Sequence, residues 1–290
     1  MRIWLMAARP RTLPAAIAPV LVGTALAVTE VDLRVGGFVA ALLGAIFIQV
    51  GTNLSNDYSD ARRGADTEER LGPVRVTAGG LVPPRQVLVA TYVSFGLAVA
   101  CGAYLVYLAG PILLAIGAAS ILAGVLYTGG PRPYGYEGLG EVFVFLFFGI
   151  VAVTGSYYVQ AEQVTWEAFV LAVPVGLLAS AILVVNNVRD LESDRRAGKR
   201  TLAVRLGRER ARTLYGLMVY GAFLTAPVPW VAGSLSAWLL LPLVLLPVAV
   251  SLVRVVRRHA DGPTLNLALA RTGMLQLAFC VLLSAGLLLS

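Results

Sequence analysis

The chain has 290 residues, 58% of them hydrophobic and only 13% charged, with a net charge of +7 and a mean hydropathy of +0.79. A soluble domain carries about 25% charged residues, so a water-exposed fold of this composition would leave a large apolar excess in water, and a lipid bilayer is the solvent that fits. The positive charge sits in short blocks between apolar runs, which excludes a nucleic-acid partner; Cys101 and Cys280 both lie inside apolar runs and make no disulfide framework.

Nine apolar segments approach the ~20 residues needed to cross ~30 Å of hydrocarbon. They lie near 13–29, 36–55, 87–108, 111–128, 139–160, 167–187, 213–232, 237–255 and 267–289. Arg2, Arg9 and Arg11 precede the first, which ends loosely like a cleavage site at Ala25-Leu26-Ala27. Its length and the spans that follow predict that it stays. Gly110-Pro111 separates the third from the fourth, and Gly129-Gly130-Pro131 closes the fourth. No barrel-type alternation occurs, so the expected fold is an all-α membrane protein of nine transmembrane helices forming one domain, 1–290.

With the N-terminus inside, the segments facing the cytoplasm hold every one of the 23 basic residues except Arg34. The positive-inside rule then places the N-terminus in the cytoplasm and, after nine crossings, the C-terminus outside. The long loops 55–86 and 189–212 share the cytoplasmic side and are rich in acids, so the active site is expected there.

The first acidic stretch carries Asn53, Asn56, Asp57, Tyr58, Asp60 and Asp66. Asn53, Asp57 and Asp60 are spaced i, i+4, i+7 and share one face if the second helix continues that far. The second stretch carries Asn186, Asn187, Asp190, Asp194, Arg195 and Lys199, with Asn186, Asp190 and Asp194 at i, i+4, i+8. Two such helix ends would repel each other without cations. Mg²⁺ prefers carboxylate oxygens and commonly bridges to phosphates. Together with Arg75, Arg132, Arg195 and Lys199, the two clusters suit a metal–diphosphate. A single acidic loop with compensating arginines is an ordinary solvated face; two matching clusters, each opening on Asn at the end of an apolar span, favour function.

These residues resemble the two signature motifs of the UbiA superfamily of intramembrane prenyltransferases. Asn56-Asp57-Tyr58-Ser59-Asp60 is similar to its Asn-Asp-x-x-Asp motif, and Asp190-Leu191-Glu192-Ser193-Asp194 to its Asp-x-x-x-Asp motif. Ala8–Pro14, Gly72–Arg75, Tyr127–Tyr136 and Gly198–Gly207 resemble the branch that prenylates 1,4-dihydroxy-2-naphthoate. The general first motif has a further Asp where Gly64 stands here, with Asp66 two residues later.

The resemblance implies that a polyprenyl diphosphate is ionised with Mg²⁺ and the developing allylic cation alkylates the naphthoate ring with loss of CO₂. It implies Asn53, Asn56, Asp57, Asp60, Asp66, Asn186, Asp190 and Asp194 as metal-arranging residues, and Asn187 and Arg195 beside the substrates. Arg75, Arg132 and Lys199 would contact diphosphate, and Tyr58, Tyr134 and Tyr136 would shield the cation or place the ring. Two alternatives stay open at this point. One is another aromatic acceptor such as 4-hydroxybenzoate or homogentisate; the other is an ion-coupled transporter.

Overall fold

The computed structural model describes residues 2–64, 71–72 and 75–290; Asp66 lies outside the described residues. Where no water reaches the backbone, its N–H and C=O groups must pair within the segment, and the apolar runs become helices. They are α1 (Ile3–Val28), α2 (Val35–Arg62), α3 (Pro84–Ala109), α4 (Ile112–Leu126), α5 (Gly140–Ala161), α6 (Trp166–Arg196), α7 (Arg208–Val231), α8 (Ala237–Arg258) and α9 (Gly262–Leu288).

Among the described residues, eight of these are long and apolar enough to cross a membrane, and α4 is the exception. Its 15 residues reach about 22 Å at 1.5 Å per residue, short of the ~30 Å hydrocarbon core. Gly110, at φ 96°, and Pro111 cut the chain before it. Gly130, at φ 73°, turns the chain after it. The nine expected spans are therefore eight full-length helices and one shorter apolar helix.

The acids as far as Asp60 in the first stretch and Asp194 in the second lie on helices. Helix α2 continues seven residues past the expected edge at 55, to Arg62, and α6 runs on from 187 to Arg196. Their polar faces turn toward a cavity rather than lipid, so the helices persist where the apolar pattern stops.

Helix α6 packs on α5, α7 and α9, while α1 packs on α2, α5 and α9; α2 carries α3 and α4 on its other side. One core cluster joins α1, α5, α6, α7, α8 and α9 through side chains such as Tyr157, Leu178, Tyr215 and Phe279. Helices α5 and α6 meet backbone to backbone: a Cβ added to Gly149 would stand 2.6 Å from the Gly176 Cα. The contact falls in a π-helical stretch, Phe145–Val151, a local widening common at functional sites. The outside of the bundle is apolar, with Tyr107, Leu224 and Val231 more than three-quarters exposed, as a lipid-facing surface requires.

Candidate active site

The helices enclose a cavity of about 890 Å³. One end is walled by the last turns of α2 and α6. The remainder is apolar, formed by α2 to α5 through residues such as Ala45, Leu113, Gly117, Phe147 and Val151.

Along α2, the 3.6-residue repeat delivers Gln49, Asn53, Asn56, Asp57 and Asp60 to the cavity. Each is buried and each has a partner from a different part of the chain. The Thr12 hydroxyl accepts from Gln49 Nε2 at 3.0 Å and from Asn53 Nδ2 at 2.9 Å. Asn53 also donates to the Ala8 carbonyl at 3.0 Å, and Thr128 donates to Asn56 Oδ1 at 2.8 Å. Asp57, 1% exposed, accepts the backbone N–H groups of Val76 at 3.1 Å and Thr77 at 2.9 Å. Asp60 pairs with Arg75 at 3.0 Å and accepts from the Tyr136 hydroxyl at 2.6 Å.

Along α6, Asn186, Asn187, Asp190 and Asp194 line the same cavity. Arg189, 3% exposed, grips Asp190 through two hydrogen bonds of 2.8 and 2.5 Å. Its remaining donors reach Asn186 Oδ1 at 2.9 Å and Asn266 Oδ1 at 2.7 Å. Asn266 in turn donates to the Leu71 carbonyl at 2.8 Å, tying α9 to the segment after α2. Asp194 faces Lys199 at 3.7 Å.

Tyr136 joins the two clusters. Its hydroxyl is on Asp60, and the Lys199 ammonium sits 4.7 Å from its ring centroid, a cation–π distance. Beyond it an aromatic wall runs into the cavity. Tyr127 meets Tyr134 edge-on at 5.5 Å, Tyr134 stacks on Phe143 at 4.0 Å, and Phe143 on Phe147 at 6.2 Å. Burial pushes the Tyr134 phenol up, so it stays protonated and donates to the Ala123 carbonyl at 2.8 Å.

Four buried carboxylates with flanking amide oxygens are hard donors suited to Mg²⁺. Among the described residues no three acids stand close enough to hold one ion between them. That fits an ion that keeps waters and takes phosphate oxygens, using one or two carboxylates. The expected repulsion between the clusters is reduced, because Arg75, Arg189 and Lys199 each pair with one carboxylate and Tyr136 donates to Asp60.

Three expected site residues do not line the cavity. Arg195 is one residue past Asp194, so helical geometry rotates it about 100° away; it is exposed and pairs with Glu192 at 3.4 Å. Tyr58 is rotated away from Asp57 in the same way and takes a hydrogen bond from Arg62 at 3.3 Å. Arg132 follows the Gly130 turn and is exposed. Conversely, sequence reasoning gave no role to Arg189, Thr12, Asn266 or Glu141. Glu141 was the most detectable of these, as an acid at the head of an apolar span. It is 3% exposed and accepts from Asn187 at 2.9 Å.

The description of the UbiA prenyltransferase family matches residues 16–288. A 1,4-dihydroxy-2-naphthoate octaprenyltransferase of Mycobacterium leprae is 41% identical over 287 residues, covering 99% of this chain and 96% of that protein. The enzyme of the same name from Escherichia coli is 38% identical, covering 93% and 89%. The solved structure of a UbiA homolog from Archaeoglobus fulgidus bound to GPP and Mg²⁺ has the same fold, with a TM-score of 0.70 at 15% identity over 99% of this chain and all of that one. Sequence match and fold agree over nearly the whole length: the chain belongs to the UbiA prenyltransferase family.

Proposed function

We propose that this protein is a 1,4-dihydroxy-2-naphthoate polyprenyltransferase of menaquinone biosynthesis. The observation that carries the acceptor is the likeness, over nearly the full length of both chains, to enzymes named for that reaction. The cavity supports the chemistry, since a charged end opens directly into an apolar chamber.

In this reading the diphosphate lies at the charged end and the prenyl chain along α2 to α5. Mg²⁺, when bound, supplies neutralisation of the departing diphosphate. Asp57, Asp60, Asp190 and Asp194 would hold the metal, with Asn53, Asn56 and Asn186 beside them. Arg75 and Lys199 move from carboxylate to diphosphate oxygen as that charge develops. The C–O bond to diphosphate breaks, and the ring carbon bearing the carboxylate forms the new C–C bond. Loss of CO₂ then leaves the bonding pair in the ring, giving demethylmenaquinone in its reduced form. The aromatic wall of Tyr127, Tyr134, Phe143 and Phe147 faces the developing cation, and the apolar chamber keeps water from it.

The distribution of Arg and Lys supports a bacterial cytoplasmic membrane with the N-terminus and the charged end of the cavity inside. In that topology α4, though short, returns the chain to the cytoplasmic side as the fourth of nine crossings. The test is turnover by the purified protein in detergent with Mg²⁺, labelled polyprenyl diphosphate and candidate aromatics. Release of diphosphate and CO₂ is expected with dihydroxynaphthoate; prenylation of 4-hydroxybenzoate in its place removes the acceptor assignment.

A further inference from the structure

Two adjacent asparagines on α6 have different surroundings. Asn186 turns toward Arg189 and the charged end. Asn187 turns toward α5, where its Nδ2 donates to Glu141 Oε1 at 2.9 Å. Asn187 lines the cavity, whereas Glu141 stands behind it and is nearly inaccessible. The Ser180 hydroxyl fixes the Glu141 backbone by donating to its carbonyl at 3.0 Å. Glu141 Oε2 has no hydrogen-bond partner among the described residues. A carboxyl group so deep at the head of a membrane span is costly, and packing alone gives no reason for it.

In that bond Asn187 donates and the Glu141 oxygen accepts. Glu141 therefore holds the NH₂ side of the Asn187 amide toward itself and turns Oδ1 to the cavity. The cavity there is its aromatic side. A Cβ added to Gly140, the neighbour of Glu141, would stand 3.3 Å from the Tyr127 ring, and Tyr127 begins the wall that runs through Tyr134 to Phe143. An amide oxygen beside an aromatic wall is suited to accept from a hydroxyl on a flat ring stacked there.

We infer that Glu141 is a positioning residue for acceptor recognition: it orients Asn187 so that its Oδ1 accepts a hydrogen bond from a ring hydroxyl of the naphthoate. The inference rests on the acceptor reading above and adds the pair that recognises the ring. Glu141 touches no substrate and acts through Asn187.

The test separates KM for the two substrates. Glu141→Gln keeps the shape but lets the new amide donate, so Asn187 is free to flip and offer NH₂ to the cavity. The KM for dihydroxynaphthoate is expected to rise about tenfold, a hydrogen bond's worth, with the KM for polyprenyl diphosphate unchanged. The double variant Glu141→Gln, Asn187→Asp reverses the donor and acceptor of the pair and again leaves an oxygen facing the cavity; it is expected to recover most of the loss. Thermal unfolding in detergent checks that each variant is folded. Equal rises in both KM values, no rise, or no recovery in the double variant overturns the inference while wild-type turnover of dihydroxynaphthoate still stands. Wild-type protein that does not prenylate dihydroxynaphthoate removes both readings.

Discussion

The ends of α2 and α6 carry nearly the same residues at nearly the same spacing, yet they are held in opposite ways. The α2 acids are satisfied from a distance: Asp57 by two backbone N–H groups of the 75–77 segment, Asp60 by Arg75 and Tyr136. On α6 the acids take partners from close by in the chain: Arg189 pairs with Asp190, and Lys199, five residues on, with Asp194. The first cluster depends on the 75–77 segment and Tyr136 being placed against it, whereas Arg189 and Asp190 pair within one helix. Equal motifs are therefore held by unequal means, one by contacts from across the fold and the other in part by its own helix.

The sharpest way to break this pairing is to remove one acid from each side. Asp57→Ala and Asp190→Ala are each expected to lower turnover by roughly 10³-fold or more, the scale of a lost transition-state contact, in the prenyl-transfer assay. Near-wild-type turnover in either would mean that the clusters do not act jointly on one diphosphate. A smaller effect separates the two cations that pair with Asp190 and Asp194. Arg189→Ala leaves Asp190 buried without its partner and should cost about 3 kcal/mol of stability. Lys199→Ala removes a longer contact, 3.7 Å to Asp194, and should cost about 1 kcal/mol while still slowing turnover. Unfolding midpoints in detergent decide this, and equal shifts for the two would remove the distinction between the close Arg189 pair and the longer Lys199 contact. The smallest change tests the link between the clusters. Tyr136→Phe keeps the ring under Lys199 but deletes the hydroxyl on Asp60, worth about 1 kcal/mol, and should slow turnover several-fold. An unchanged rate would reduce Tyr136 to packing.

Much of this was legible in the chain because helical periodicity and hydropathy are local properties. Asn53, Asp57 and Asp60, and likewise Asn186, Asp190 and Asp194, reach the cavity because i, i+4 spacing puts them on one face, whatever the rest of the fold does. Arg195 and Tyr58 failed for the same reason, each lying one residue and so about 100° off that face. Contacts made across the fold were hidden. Nothing in the sequence near Thr12 announces that its hydroxyl will hold Gln49 and Asn53, and nothing near Asn266 announces its bond to Arg189. Helix ends were misjudged where polar residues continue a helix into a cavity, since the apolar pattern that marks a span stops at the lipid and not at the last hydrogen bond. The shortness of α4 escaped notice because hydropathy counts apolar residues, while Gly110 and Gly130 set where the helix begins and ends.

Lys199 is the only lysine in the chain, and it lines the cavity between Asp194 and the Tyr136 ring. Every other basic side chain but His259 is a guanidinium, which amine-selective reagents do not acylate. Apart from the α-amino group, the protein thus offers such a reagent one target, located where diphosphate is expected to bind. The rate at which that amine is modified becomes a native reporter of occupancy, read by mass without an engineered label and slowed by whatever fills the charged end.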